Sequence, residues 1–259
     1  MAITSFSYAI IRSAFENGLL PQGGSILEFG EANWYGDVQP DTLAMDIKAL
    51  APSEDDSSYL EDRLKDVLQM DMEGMAFGLA KVFYGIFFGC DETTAIDFHG
   101  MEGCLKEDLN GPVSFDEQFD VTINNGTAEH IFNLGQFFTT MHETTKPGGL
   151  MIHEGPMIKG WVDHGFVNFQ PTLFFDMASA NGYEMFLFCL GGLDPVTINP
   201  FDSREDMLKF AQSEEMPANT VFMTILKKGD TESDFVMPIQ GYYASSISED
   251  AQKAWRNMR

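Results

Sequence analysis

The stretch FDVTINNGTAEH (119–130) opens as an apolar run and stops at a polar corner of Asn124, Asn125, Gly126 and Thr127, with Glu129 and His130 directly behind it. Amide, hydroxyl, carboxylate and imidazole groups at the end of an apolar run are poor core material and good ligand material. Two other runs end the same way. AIDFHG (95–100) finishes on Asp97, Phe98 and His99, and GGLMIHEGP (148–156) carries His153 and Glu154. All five histidines (His99, His130, His142, His153 and His164) fall between positions 99 and 164. Imidazole exchanges a proton near neutral pH, so such a cluster suits general acid–base work. His142 falls in mid-helix and reads as structural. The others fall at strand ends or in the loop WVDHGF (161–166), which also brings Trp161 and Asp163.

The same residues could ligate a divalent ion, since His130, His153, His164, Glu154 and Asp163 supply nitrogen and oxygen donors. No tight ligand motif such as HExxH is present, so no metal is assigned from sequence. Trp34, Tyr35, Trp161, Phe166 and Phe169 flank the polar corners and could stack on a ligand or hold a cation over a ring.

For these corners to meet, the runs must be neighbouring strands of one sheet. SILEFG (25–30), TTAIDFHG (93–100), a short run near 103–109, 119–124, 150–155, 183–190 and 219–228 read as strands. Helical spacing covers 5–18, 59–68, 75–88, 129–145 and 171–182, and FDSREDMLKFA (201–211) reads as a further helix. Alternating strands and helices with short turns predict a mainly parallel α/β sheet covered on both faces, the last strands forming an antiparallel edge. In such a sheet ligands bind at the carboxyl ends of the strands. Residues 31–57 read as an acidic loop with Pro40 and Pro52, and Ser57 or Ser58 as the cap of the next helix. The first two strands are separated by far more than the dozen residues a crossover needs. Residues 38–92 are therefore expected to be a helical insertion, a lid or recognition element, inside one domain spanning 1–259.

Taken in order, these segments resemble a class I S-adenosylmethionine-dependent methyltransferase of the kind that acts on small molecules. ILEFGE (26–31) stands where that family has its glycine-rich first motif, AIDFHG at strand two, KEDLNG (106–111) after strand three, FDVTINNGTAEH at strand four and TKPGGLMIHEGP (145–156) at the turn into strand five. PTLFFDMASANGYEMF (171–186) resembles the family's last helix and following strand. The resemblance covers roughly 5–228 and implies a Rossmann-like seven-stranded sheet. It departs at the first motif, where Gly30 is followed by Glu31, Ala32, Asn33 and Trp34 instead of further glycines.

The resemblance implies S-adenosyl-L-methionine as cosubstrate, held by Glu28, Gly30, Asp97, Phe98, Asp108, Leu109, Asn125 and Gly126. Asp97 would accept the two ribose hydroxyls, Asp108 and Leu109 would border the adenine, and Glu28 would orient the first loop or meet the cosubstrate's amino group. Methyl transfer to a hydroxyl or protonated amine also needs a base. His153, His164 and His130, in that order, are the expected catalytic groups, with Glu129, Glu154, Trp161 and Asp163 around the acceptor. Oxygen is slightly preferred to nitrogen as the target atom. The alternatives are a non-catalytic methyltransferase-like protein that binds a metabolite or partner, and a nicotinamide oxidoreductase, for which ILEFGEANW lacks the GxGxxG fingerprint.

Composition narrows the partners. The chain carries 15 Lys+Arg against 40 Asp+Glu, a formal net charge of −25, which disfavours nucleic acid and anionic membrane surfaces. Cys90, Cys104 and Cys189 form neither a CxxC pair nor an even set, which fits a reducing, cytoplasmic setting. The amino-terminal segment does not read as a signal peptide, and no run of 18 apolar residues is present. The expected partner is a small acceptor molecule; homo-oligomerisation is open.

Overall fold

The computed structural model describes residues 2–158, 161–212, 216–245 and 247–257. The chain runs β1 (Ala2–Ile3), α1 (Ser5–Glu16), β2 (Ile26–Phe29), β3 (Asn33–Trp34), α2 (Pro40–Leu50), α3 (Glu54–Val67), α4 (Met72–Phe88), β4 (Thr93–Ile96) and β5 (Phe119–Asn125). A single 3-10 turn over Ala128–His130 precedes α5 (Leu134–Thr144). Then come β6 (Thr145–Ile158), α6 (Pro171–Asn181), β7 (Glu184–Leu193), β8 (Val196–Pro200), α7 (Arg204–Gln212), β9 (Thr220–Lys227), α8 (Gly241–Ala244) and α9 (Glu249–Asn257).

Among the described residues, seven strands form one sheet in the order β4-β2-β5-β6-β9-β7-β8. The four from β4 to β6 are mutually parallel, β9 is antiparallel to both β6 and β7, and β8 is antiparallel to β7. This is the Rossmann-like α/β sheet expected from sequence. From β2 the chain crosses to one side to form β4, then returns to lay β5 on the other side. The order therefore reverses between β2 and β5, and the crevice outside their carboxyl ends is where open α/β sheets bind ligands.

Strand alternation sorts the core into two layers. Ile26, Val121, Ile123, Leu150 and Ile152 face α1 and α4; Leu27, Phe29, Ile96 and Met151 face α5 and α6. α4 is the apolar helix of the first layer, buried from Val82 to Phe88, and ends on Gly89 in the left-handed region. α2 and α3 complete the 38–92 segment. Asp46 of α2 is buried and accepts hydrogen bonds from Tyr8 and Arg12 of α1.

Several sequence expectations change. Residues 31–57 are not a loop: β3 pairs in parallel with β1, and α2 starts with Pro40 in its first turn, where a missing N–H costs nothing. α3 begins earlier than expected, capped by Ser53, whose hydroxyl accepts from the Asp56 N–H. The third strand is reduced to one bridge between Ile96 and Leu105. The helix expected over 129–145 is split into the 3-10 turn and α5, because Asn133 caps a fresh start by accepting from the Gln136 N–H. The Lys146–Gly149 turn lies inside β6, where the register with β5 shifts and Gly148 has φ +75°. β8, not foreseen, supplies the seventh strand. No helix among the described residues is long and apolar enough to cross a membrane.

The central buried ion pair is that of Glu28 and Lys81. A Lys81→Met substitution strands the Glu28 carboxylate in the interior. It is expected to cost about 3 kcal/mol in chemical denaturation, most of which Glu28→Gln added to the same chain should restore.

Candidate functional site

Glu28, at the end of β2, is fully buried. Its Oε2 accepts the Ala32 N–H at 2.9 Å and the Tyr84 hydroxyl at 3.2 Å. Its Oε1 takes the Lys81 ammonium and the Thr93 hydroxyl. The carboxylate thus ties the β2 tip to Ala32 of its own exit loop, and its Oε1 is taken up by Lys81 and Thr93.

Gly30 turns the chain at φ +85°, a conformation costly for residues with a Cβ, and its N–H reaches the Ile96 carbonyl at 2.8 Å. The next N–H, of Glu31, is accepted by Asp97 Oδ2 at 3.0 Å, while Asp97 Oδ1 accepts the His99 N–H at 2.7 Å. Gly30 and Asp97 therefore share one corner. Each Asp97 oxygen has spent one lone pair on backbone and retains another. Phe98 beside it is 57% exposed. Glu31 reaches over to the loop after β4, accepting from the Met101 N–H at 2.7 Å and the Cys104 thiol at 3.1 Å.

Across the crevice, Asn124 Oδ1 accepts the N–H groups of Thr127 and Ala128, and the Thr127 hydroxyl donates to the Phe29 carbonyl. The Gly126 N–H donates to the Glu154 carbonyl at 3.0 Å. Asn125 and Gly126 thus stand opposite Gly30 on the far side of the switch point. Asp108 and Leu109 sit farther out. Asp108 is exposed and holds a local turn through Asn110, whereas Leu109 is buried in the core layer with Ile96.

His153 and Glu154, expected to face the acceptor together, do not. Adjacent residues on a strand point to opposite faces. His153 lies between the rings of Phe138 and Phe174, with ring centroids at 5.6 and 5.3 Å. Burial pushes its pKa down to about 3, and its Nε2 has no hydrogen-bond partner among the described residues. It is a neutral imidazole enclosed by aromatic rings of the core, contrary to the leading catalytic role expected for it. Glu154 faces the other layer, where it accepts from the Ser7 hydroxyl of α1 at 2.7 Å. It lines a small cavity of about 20 Å³, together with Ile3, Ser7, Tyr84, Asn125 and Met223. Burial raises its pKa to about 8. His142 is structural as expected, its two nitrogens meeting the Tyr183 hydroxyl at 2.6 Å and the Ser233 carbonyl at 2.7 Å.

The remaining candidates converge. His164 Nε2 lies 3.7 Å from Glu129 Oε1 and His130 Nε2 lies 4.0 Å from the same atom. The two imidazole centroids are 5.2 Å apart, and Trp161 packs on His164 at 5.0 Å. Glu129 is 1% exposed, while both imidazoles reach solvent. Burial raises the Glu129 carboxyl to about 7 and, with the neighbouring His164, lowers His130. The loop after β6 is latched here by the N–H of Phe166, which donates to the Glu129 carbonyl at 2.7 Å. Gly165 permits the approach, since a Cβ there would come within 2.8 Å of that carbonyl oxygen. Asp163 turns the loop at φ +61° and is exposed. Among the flanking aromatics, Trp34 and Phe169 belong to the core, and Tyr35 and Phe166 are exposed.

Sequence reasoning had Glu129 as an acceptor contact and missed Ser7, Glu31 and Lys81. Lys81 did carry a signal, a lone cation within the apolar run 75–88.

No family model matches the chain and no curated protein matches it. Solved structures are similar at low identity. One is the N-methyltransferase NodS of Bradyrhizobium japonicum in complex with S-adenosyl-L-homocysteine, at 12% identity and TM-score 0.45, covering 87% of this chain and 88% of that one. Another is a Burkholderia thailandensis 1,6-didemethyltoxoflavin-N1-methyltransferase, at 10% identity and TM-score 0.36, covering 86% and 76%. A third is the cyclase SpnF, at 9% identity and TM-score 0.41, covering 87% and 82%. At these scores the likeness carries no argument about activity.

The raised Glu154 and Glu129 carboxyls have a consequence for stability. Both bind protons more tightly folded than unfolded, so their contribution is greatest below the unfolded carboxylate pKa, and it fades as pH rises through about 7 and about 8. Glu154→Gln removes one titration. The stability of this variant relative to the parent should therefore increase between pH 5 and pH 9, as read from denaturation midpoints; a constant difference would contradict the burial argument.

Proposed function

We propose that the chain is an S-adenosylmethionine-dependent methyltransferase for a small polar acceptor, with oxygen ahead of nitrogen as the target. One observation carries this reading: Gly30, Asp97 and the Asn125–Gly126 pair stand on three adjacent parallel strand ends around the switch point between β2 and β5. The free lone pairs of Asp97 suit a ribose diol, exposed Phe98 offers a ring edge beside it, and Asn125 with Gly126 supplies polar backbone on the opposite wall. Asp108 and Leu109 contribute the outer border, Leu109 through its packing on β4. Glu28 acts as a positioning residue through the Ala32 N–H.

Methyl transfer breaks the sulfur–methyl bond, leaves its electron pair on sulfur, and forms a bond from the acceptor's lone pair to the methyl. The acceptor's proton must leave. The cluster of Glu129, His130 and His164 is where it leaves, with Trp161, Asp163 and the Glu154 side chain bordering the acceptor's space. The 38–92 segment serves as a wall, since α4 contributes Lys81 and Tyr84 to the back of the β2 tip. The setting is reducing and cytoplasmic, with a small molecule as partner and neither nucleic acid nor membrane.

A specific observation favours a second reading, a non-catalytic binder of the same fold. After Gly30 the chain enters β3 instead of a glycine-rich turn into a helix, so no helix N-terminus faces the crevice there.

Calorimetric titration separates these readings. S-Adenosylhomocysteine and S-adenosylmethionine should bind with micromolar affinity and NAD should not. Asp97→Ala should weaken both sulfur nucleosides by about tenfold or more, the worth of one charged hydrogen-bonding partner. Absence of heat from either nucleoside would defeat the methyltransferase reading.

A further inference from the structure

The Glu129–His130–His164 cluster has a property that proton transfer alone does not require. One nitrogen from each imidazole and one carboxylate oxygen lie within 4.8 Å of one another. Glu129 is 1% exposed, and its Oε2 is buried with no hydrogen-bond partner among the described residues. A buried carboxylate oxygen without a partner is uncommon and calls for an explanation. We infer that Glu129, His130 and His164 form a binding site for a divalent transition-metal ion.

The geometry suits such an ion. Ligand bonds of about 2.1 Å put neighbouring donors roughly 3 to 3.5 Å apart. The observed separations of 3.7 and 4.0 Å from Glu129 Oε1 exceed this slightly. The imidazoles are solvent-exposed and can swing inward, while the carboxylate is fixed by burial. The donor set, two imidazoles and one carboxylate, selects zinc, iron or nickel over magnesium and calcium, which prefer all-oxygen shells. With three protein ligands, coordination positions remain open on the imidazole side.

The two segments that carry the ligands are held together independently of any ion. The Phe166 N–H bond to the Glu129 carbonyl fixes the loop, and Gly165 lets it come close. His164 is thereby delivered to a residue 35 positions earlier in the chain. Trp161 backs its ring, and the indole N–H is in turn tied to the Thr220 carbonyl at 2.9 Å. Gly165 is thus a positioning residue for the site.

The role of the ion rests on the proposed methyl transfer. In an open position it would take the acceptor's hydroxyl oxygen and make that hydroxyl a stronger acid. The hydroxyl proton would leave from this cluster to solvent, its electron pair would stay on oxygen, and the oxygen would form the bond to the methyl as the sulfur–methyl pair returns to sulfur. The imidazoles then assist through the ion, as ligands.

The test uses the full chain, stripped with a chelator and titrated with zinc chloride without cosubstrate, in moderate salt and excess magnesium to occupy scattered surface carboxylates. One zinc per chain is expected. His130→Ala, His164→Ala and Glu129→Gln should each weaken binding by more than about 100-fold, and Gly165→Ala by about tenfold, the range typical of groups that orient a ligand. Cobalt substitution should give visible absorption bands that are lost in the same variants. Thermal melts close to the parent's would show the variants are folded. Zinc binding that magnesium fully displaces, or that survives unchanged in a His130→Ala, His164→Ala double variant, would overturn the site. S-Adenosylhomocysteine binding is measured separately, so failure of the methyltransferase reading leaves the zinc result standing, and the reverse holds too.

Discussion

A buried carboxylate must be matched by donors or it will not stay ionised in the interior. Glu28 meets that demand with four: the Lys81 ammonium, the Thr93 and Tyr84 hydroxyls and the Ala32 N–H. These come from α4, from the start of β4 and from the segment just past Gly30. One side chain therefore ties the first strand to its neighbour, to the helix behind it and to its own exit loop. Glu31 extends the same logic outward to Met101 and Cys104. The corner that holds Asp97 in place is a product of this network. The network is built from side chains of several segments, so the corner is held by tertiary contacts and not by its own turn alone.

The second governing constraint is the two-residue period of strands. Along β6 it sends Met151 and His153 into one layer and Ile152 and Glu154 into the other. The outcome for the two polar residues is opposite. His153, among Phe138 and Phe174, is driven to its neutral form. Glu154 finds a hydroxyl from α1 and stays protonated until pH rises to about 8. The titratable groups that do converge, Glu129, His130 and His164, lie beyond the regular strands, where the backbone is free to turn.

Much of this arrangement was legible in the residues. The apolar runs ending in Asp97, in Asn124–Thr127 and at Glu154 named the strands, and their polar ends meet at the carboxyl edge of the sheet around the β2–β5 switch point. What failed did so for physical reasons. Proline at 40 reads as a loop signal, yet it is equally suited to the first turn of α2, and only packing on α3 and α4 decides. The run near 103–109 lacks neighbours on its outer side, so it collapses to a single bridge. Polar residues on a strand say that something special occurs, but not on which face, so His153 and Glu154 could not be told apart. The meeting of His164 with Glu129 depends on a main-chain bond across a loop, which spacing does not encode.

Ser7 and Glu154 are bonded across 147 residues of chain, and Ala2–Ile3 lie alongside Asn33–Trp34. Bringing such distant segments together carries a large entropic cost that local structure does not offset. The helices of 40–88 can form early from nearby contacts. The crevice, assembled from the amino-terminal turn, the middle strands and the loop at 161–167, has to come last. The crevice and the central strand β6 therefore share one dependence: β6 pairs with both β5 and β9, so the sheet is continuous and the crevice is walled only when the carboxyl-terminal half of the chain is in place.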